Sequence, residues 1–510
     1  MRWMVLFALM LGSILEALDT SIVNVAIPTM MGNFGATVDE INWVSTAYMI
    51  SNVVILPLTG WLSAYFGRRN YLAGSIILFT ISSFFCGIST SLNMLILFRV
   101  LQGVGGAALL STAMATLLEI FPPEQQGMVL GVFGIGVMTI PTIGPAIGGW
   151  ITDNYSWNWI FFINIPIGII NMMLVARFLH DPPYLKREKG KIDFPGLWLL
   201  IIGLGALQLM LEKGGQKDWF QSGFIVYLAA VSFIGMALFI WRELVAEKPA
   251  VDLRVLKNLP FASGTMLGGI LGVGLYGSLF LLPLFLQQLL GYPAFDSGLV
   301  LMPRSLAMAV MMPVGGRLYN RLGPKVLIGI GLAITAFSFW QLSNMSLDVG
   351  FRDLFVPQSL QGAGFGMIFV ALSTAALASI ERHRMTDASG LYNVVRQVFG
   401  SVGIALTATE LTRGENIFRA DLVKDVTPFT ANAANFVRGM TGAMTRQGND
   451  PATAGYKALN ILNNEMTRQA SMLSYNHVFF LGTVLFVFCI PLVFFLKGDH
   501  GGEEGGIIAD

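Results

Sequence analysis

Charge is what this sequence has least of. Only 12% of its 510 residues are Asp, Glu, Lys or Arg, half of the roughly 25% usual in soluble domains. A soluble globular chain of this length is excluded. The net charge of +1 gives no electrostatic reason to expect a nucleic-acid partner. Cysteine is nearly absent: Cys86 and Cys489 sit in apolar runs far apart, which suggests neither a disulfide framework nor a metal site. The four histidines, His180, His383, His477 and His500, are scattered without ligand spacing. No nucleophile–base or metal constellation of an intramembrane enzyme emerges from them. The G-x-x-x-x-G-K-[ST] loop of a nucleotide-driven pump is missing as well. The expectation is a protein that is not an enzyme and carries no cofactor.

What the chain has is apolar length, 54% of it hydrophobic. A membrane span needs about 20 predominantly apolar residues. Fourteen segments qualify: 3–27, 41–62, 71–89, 93–118, 128–151, 159–178, 194–212, 222–241, 261–290, 296–316, 326–344, 353–379, 387–411 and 475–496. The first follows Arg2 as the core of a signal peptide would. Its apolar run continues to Ile27 without a small-residue cleavage site, so a retained helix is expected. An even number of spans puts both termini on one side. With that side cytoplasmic, eighteen Lys and Arg fall in inside segments and three (Lys213, Lys217 and Arg352) in short outside loops. The positive-inside rule then gives cytoplasmic termini. The segment 412–474 falls outside and is the one sizeable hydrophilic region. In it Asp450 and Pro451 read as a helix start, and Tyr456, Leu459, Met466, Ala470 and Leu473 form a broken amphipathic stripe. That segment reads as a helical cap over a cavity mouth or as a docking surface.

The loops contain a repeat. "GWLSAYFGRR" (60–69) and "GRLYNRLGPK" (316–325) align without gaps at an offset of 256. "LQGVGG" (101–106) matches "LQGAGFG" (360–366) at an offset of 259. Both pairs keep the same order and are displaced by eight spans. A duplicated six-helix unit with two inserted helices accounts for this, the parallel-repeat construction of one large transporter class. The expected organisation is a first half over 1–180, inserted helices over 192–245, a second half over 258–411 and 475–497, and an extracytoplasmic loop over 412–474. The inserted helices lack internal charge and are expected outside the transport core, with Glu212 at the interface.

These motifs carry a family resemblance. "GWLSAYFGRR" resembles the helix 2–3 loop signature of the major facilitator superfamily, with Gly60, Gly67, Arg68 and Arg69, and Gly316 and Gly323 in the second copy. "RVLQGVGG" (99–106) resembles its helix 4 signature. "GVMTIPTIGPAIGG" (136–149) is similar to the helix 5 signature of its antiporters, and "LDTSIVNVAIP" (18–28) to the helix 1 signature of its fourteen-helix drug:proton antiporters. "WNWIFFINIPIG" (157–168) and "DWF" (218–220) fit the EmrB-type multidrug exporters. The loop signature normally carries an Asp where this chain has Ala64 and Asn320. The resemblance implies an all-α integral membrane protein of the major facilitator fold, with fourteen transmembrane helices. It implies a proton-coupled antiporter that exports lipophilic drugs or toxic compounds across the inner membrane by alternating access. It also implies a periplasmic membrane-fusion protein and an outer-membrane channel as partners. A dedicated metabolite or siderophore exporter of the same fold is the alternative.

Several residues stand out against the apolar background. A charge at bilayer depth costs at least about 2.5 kcal/mol, yet the first span carries Glu16 and Asp19 and the fourth carries Arg99. Arg99 lies six residues below Asn93, roughly 9 Å, and Asp19 nine residues below Pro28, roughly 13 Å, from the same face at 1.5 Å per residue. The two meet at similar depth if these helices are neighbours. Asp19 is expected to carry the proton, with Glu16 as auxiliary acid and Arg99 as partner. A facilitator without proton coupling needs no such carboxylate. Arg304 and Arg396 are further internal cations. With Asn393, they are candidates for the substrate cavity or structural anchors bonded to carbonyls. Gly136, Gly144 and Gly148 share one helix face, next to Gly149, and Pro145 removes a backbone donor and bends the helix. Tight helix packing and a seal against proton leak are compatible readings of that face. The 26 methionines suit an adaptable cavity lining, although no individual one is assigned.

Overall fold

A computed structural model describes residues 2–181, 193–246, 249–381, 384–427 and 430–493. The loop cations Lys186, Arg187, Lys189, Lys191, Lys248, Arg382 and Lys497 and the histidines His383 and His500 lie outside the described residues. Every secondary-structure element among the described residues is helical. That follows from the apolar runs, because in lipid a spanning segment must satisfy its backbone N–H and C=O groups internally.

In chain order the long helices are α1 (Arg2–Phe34), α2 (Asp39–Phe66), α3 (Arg68–Gly87), α4 (Leu92–Ile120), α5 (Pro123–Asn154) and α6 (Trp159–Phe178). Then come α7 (Phe194–Gly214), α8 (Gly223–Val245), α9 (Leu259–Leu284), α10 (Asp296–Tyr319), α11 (Arg321–Leu342) and α12 (Phe351–Ala378). The last three are α13 (Met385–Asp425), α14 (Ala431–Arg446) and α15 (Pro451–Leu492). Among the described residues, twelve helices are long and apolar enough to cross a membrane, and thirteen if bent α5 counts as one span. The predicted span 387–411 coincides with α13. Its Asn393, Arg396 and Ser401 are buried among other helices, so the polarity that weakens its span signal is turned away from lipid.

The two matched loops repeat one backbone geometry. Gly67 has φ 84° and ψ 143°, and Gly323, 256 residues on, has φ 74° and ψ 163°. Residues with a Cβ rarely adopt that region, so both chain reversals require glycine. In α5 the helix bends by 40° between Pro141 and Ile143, one turn before Pro145. The ring of a proline clashes with the carbonyl four residues earlier, which places the bend at Pro141 rather than at Pro145 itself. Gly136 packs on Met10 and Ile14, Gly144 on Ser21 and Gly148 on Ile22, so the predicted glycine face is the α1–α5 contact. Gly149 also turns toward α1, more loosely, with Val25 as its neighbour.

The inserted helix α7 packs on the bundle. It lies on α2, where Gly205 meets Ile50 and Val54, and on α13, where Gln208 Nε2 donates to Ser401 Oγ at 2.9 Å. The described part of 412–474 is helical: α13 runs on to Asp425, α14 follows, and α15 begins at Pro451 with Asp450 accepting from the Thr453 N–H at 3.2 Å. A 42-residue helix is about 63 Å long, twice a hydrocarbon core of ~30 Å. α13 and α15 therefore project together beyond the bundle, tied by Ser471 to Glu415 at 2.7 Å and Arg419 to Asn463 at 2.9 Å. In the predicted stripe Tyr456, Leu459 and Leu473 are exposed while Ala470 is buried. The projecting arm buries Ala454 and Ala458 instead, because small side chains let the helices approach.

Candidate functional site

The site is built on Asp19. α1 brings it into the bundle fully buried, where α4 and α6 converge on it. Arg99 Nη1 donates to Asp19 Oδ2 at 2.5 Å. Gln102 Nε2 and Asn164 Nδ2 donate to Oδ1, each at 2.9 Å. Three N–H groups thus converge on one carboxylate, one of them cationic. Arg99 is itself held rigidly: its Nε donates to the Val44 carbonyl at 3.0 Å, its Nη1 to Gln102 Oε1 at 2.8 Å, and its guanidinium lies 4.2 Å from the Tyr48 ring centroid. Ser83 ties the remaining amides together, accepting from Gln102 and Asn164 at 2.9 Å and donating to the Phe161 carbonyl at 3.1 Å. A buried ion pair offsets its desolvation only when its geometry is good and further hydrogen bonds satisfy the remaining groups. Here both conditions are met, which answers the cost of placing Asp19 in an apolar helix.

Glu16, one turn away, is in a different environment. It is half-buried and faces α2, accepting from Asn52 Nδ2 at 3.0 Å. Arg396 lies within electrostatic reach of it. Arg396 is buried with its guanidinium 5.2 Å from the Phe369 ring centroid, and its Nε and Nη1 have no hydrogen-bond partner. Asn393 sits at the contact of α13 with α4: its Nδ2 donates to the Ser389 carbonyl at 2.9 Å and approaches Met114 Sδ at 3.6 Å. Arg304 stands apart from this group. It is buried between α10 and α12, with Nη1 at 3.4 Å from Gln361 Oε1. The structure therefore brings Asp19 and Arg99 into contact, leaves Glu16 and Arg396 within electrostatic reach of each other, and places Arg304 elsewhere.

At the end of the bundle that carries the Arg68 loop, the helices close on one another. Gly127 of α5 meets Gly316 of α10 backbone to backbone: a Cβ on Gly127 would stand 2.8 Å from the Gly316 carbonyl oxygen. Asp387 of α13 lies against Gly60 of α2, and Ser389 Oγ donates to the Ser111 carbonyl at 2.9 Å. Arg68 pairs with Glu119 of α4 through two bonds, at 2.5 and 2.8 Å, and reaches Thr386 of α13 at 3.2 Å. The Arg69 N–H donates to Asp181 at 2.8 Å and its Nη2 to the Ala176 carbonyl at 2.6 Å. Glu119 and Asp387 thus supply acids beside a loop whose own acid position is Ala64. At the opposite end a cavity of about 1100 Å³ opens where α2, α7, α9 and α13 meet. Met49, Leu211, Trp219, Phe280, Ile404 and Asn416 line it, with Glu212 at its wall. Glu212, expected at the interface, faces this cavity, with Thr46 Oγ1 at 3.4 Å.

Gln102, Asn164, Ser83 and Tyr48 are the site residues that sequence reasoning missed. Gln102 and Asn164 lie inside two of the quoted motifs, "RVLQGVGG" and "WNWIFFINIPIG". Position inside a motif was the one signal they carried, and it does not separate a ligand from a packing residue.

Comparison with known proteins agrees with this architecture. The family model described as Major Facilitator Superfamily matches residues 9–404. The chain is 34% identical over 501 residues to the multidrug export protein EmrB of Escherichia coli K12, covering 98% of this chain and 96% of that protein. It is 33% identical over 511 residues to the fatty acid resistance protein FarB of Neisseria gonorrhoeae, covering 99% and 98%. The crystal structure of the human organic anion transporter MFSD10 superposes with a TM-score of 0.60 at 14% identity, over 95% of this chain and 99% of that one. At that identity the likeness concerns the fold alone.

Proposed function

The chain belongs to the major facilitator superfamily, and from that premise we propose that it is a proton-coupled exporter of lipophilic drugs working by alternating access. The observation that carries the proposal is the buried Asp19 carboxylate held by Arg99, Gln102 and Asn164. Nearly full-length relatives named for multidrug export and fatty acid resistance support the substrate class. An uncompensated buried charge is costly, so Asp19 is stable either paired with Arg99 or neutralised by a proton. A rearrangement that separates α1 from α4 would convert one state into the other. The conformation closed at the Arg68 end and open at the Glu212 end is read as outward-facing. Glu16 serves as auxiliary acid with Arg396 in electrostatic reach, whereas Arg304, Asn393 and Arg396 are not among the residues that line the cavity. The assay is direct: in proteoliposomes with an acidic lumen, adding a lipophilic dye should raise luminal pH in step with dye uptake. Dye uptake without proton movement would overturn the coupling.

The same reading places the protein in the inner membrane with cytoplasmic termini and the α13–α15 projection on the periplasmic side. Cys86 and Cys489 are buried, so a single introduced thiol can be read without removing them. Thr467 is exposed on the projection. Thr467→Cys should react with a membrane-impermeant maleimide from outside only. Labelling from the cytoplasmic side alone would invert the topology.

We further propose that the projection docks a periplasmic membrane-fusion protein, which in turn leads to an outer-membrane channel. Exposed Tyr456, Leu459 and Leu473 on α15 support this. Because Glu415 faces Ser471 and Arg419 reaches Asn463, replacing 422–464 by a short Gly–Ser linker trims both arms to one height. The shortened protein should fold and bind substrate while losing co-purification with its partner at least tenfold. Undiminished co-purification would move the interface elsewhere.

A further inference from the structure

The internal repeat extends to side chains outside the site described above. The offset of 256 takes Tyr48 to Arg304, and the offset of 259 takes Arg99 to Gln358, Gln102 to Gln361 and Gly103 to Gly362. Tertiary contacts support this register independently. A Cβ on Gly103 would meet the Tyr48 carbonyl oxygen, and one on Gly362 would meet the Arg304 carbonyl oxygen. Gly105 and Gly364, likewise, both pack on the third helix of their copy, at Ser75 and Gly331. The two clusters are thus built at equivalent places.

Their charges differ. In the first copy a guanidinium on α4 lies over a tyrosine on α2 and is neutralised by Asp19 of α1. In the second copy the guanidinium has moved to α10, where Tyr48 would be, and glutamine occupies the place of Arg99. The helix corresponding to α1 is α9, and Leu259–Leu284 contains no Asp or Glu. Among the described residues no carboxylate pairs with Arg304. Arg304 is 3% exposed, and Gln358 and Gln361 are 0% exposed. Even so, Arg304 Nη2, Gln361 Nε2 and both amide atoms of Gln358 have no hydrogen-bond partner. Buried polar groups are otherwise bonded in nearly all cases, and a buried cation without a counter-charge is disfavoured further.

We propose that Arg304, Gln358 and Gln361 form a binding site for a small monovalent anion, a halide or a compact carboxylate. The anion takes the part that the Asp19 side chain plays in the first copy. One cationic and two amide donors match the set that surrounds Asp19, namely Arg99, Gln102 and Asn164. The site fixes α10 to α12 and lies apart from the proton-carrying pair, so it is independent of the export reading.

Thermal unfolding of the purified full-length chain tests this. Sodium chloride and sodium formate are each titrated against sodium gluconate at constant ionic strength, gluconate being too large for a site between two packed helices. A saturable rise of about 3 °C is expected with a small anion. Chloride alone would assign a halide site, formate alone a carboxylate site, and both a site that accepts either. Gln358→Glu places a carboxylate one turn from Gln361, at the position equivalent to Arg99 in the first copy. It should unfold in gluconate at the temperature of the chloride- or formate-saturated parent and no longer respond to either anion. A parent chain insensitive to both anions, or an undiminished rise in Gln358→Glu, overturns the assignment.

Discussion

Asp19→Asn is expected to abolish dye export driven by a pH gradient, with at least a tenfold loss, and to eliminate substrate-induced proton movement. Asparagine keeps the size and hydrogen-bonding capacity that Gln102 and Asn164 require, but it cannot titrate. Dye binding should survive, because the cavity lined by Phe280, Ile404 and Asn416 is elsewhere. The substitution also leaves Arg99 buried without its counter-charge. Breaking one side of a buried pair costs about 3–5 kcal/mol, so folding must be monitored alongside transport. The double variant Asp19→Asn with Arg99→Gln removes both charges together and avoids that cost. It should regain thermal stability and remain uncoupled. Arg99→Lys keeps the charge but loses the planar fork that reaches Asp19, Val44 and Gln102 at once, and should impair coupling less than Arg99→Ala. Export by Asp19→Asn at the parent rate would remove Asp19 from the coupling step. Glu16→Gln in the same assay would then be the decisive variant.

A second large effect is expected at the closed end. Gly127→Leu places side-chain atoms where α5 meets the Gly316 backbone, with the nearest atoms at 2.8 and 3.1 Å from the Cβ position. Those atoms are main chain and cannot rotate aside, unlike the Met312 side chain near Gly134. Overpacking costs about 1–3 kcal/mol. At 2 kcal/mol the closed conformation would be depopulated about 30-fold relative to one open at this end. Ser389 is fully buried at the same seam, bonded to the Ser111 carbonyl. A Ser389→Cys thiol should therefore be inert in the parent background and react from the Arg68 side in Gly127→Leu, while transport falls more than tenfold. A Gly127→Leu protein that transports normally with Ser389→Cys still protected would show that the glycine contact does not govern closure.

Much of the candidate site was legible because the bilayer makes charge expensive. Asp19 and Arg99 were conspicuous against apolar sequence, and counting 1.5 Å per residue from one membrane face put them at matching depth. Gln102, Asn164 and Ser83 were not legible, because neutral polar residues within a membrane helix are common enough that position alone does not separate a ligand from a packing residue. Arg304 and Arg396 looked alike in sequence. In the fold one sits between α10 and α12 and the other faces Glu16 from α13.

The sequence by itself determined that the chain is an all-helical membrane protein, where the twelve or thirteen qualifying spans of the described residues run, and that the loops at 60–69 and 316–325 are copies. Each of these follows from local chemistry: apolar length, turn glycines at positive φ, and a fixed offset. Only the tertiary structure decided which polar groups meet Asp19, that α7 lies across α2 and α13, and that the arms of α13 and α15 pair with each other within the 412–474 segment. It alone decided that the bundle is closed at the Arg68 end and open at Glu212. The physical reason is common to all four. They depend on which helix faces which, and in lipid that choice is made by backbone approach at residues such as Gly127 and Gly316 rather than by hydrophobic pattern. Small residues permit many contacts, and only the assembled bundle selects one.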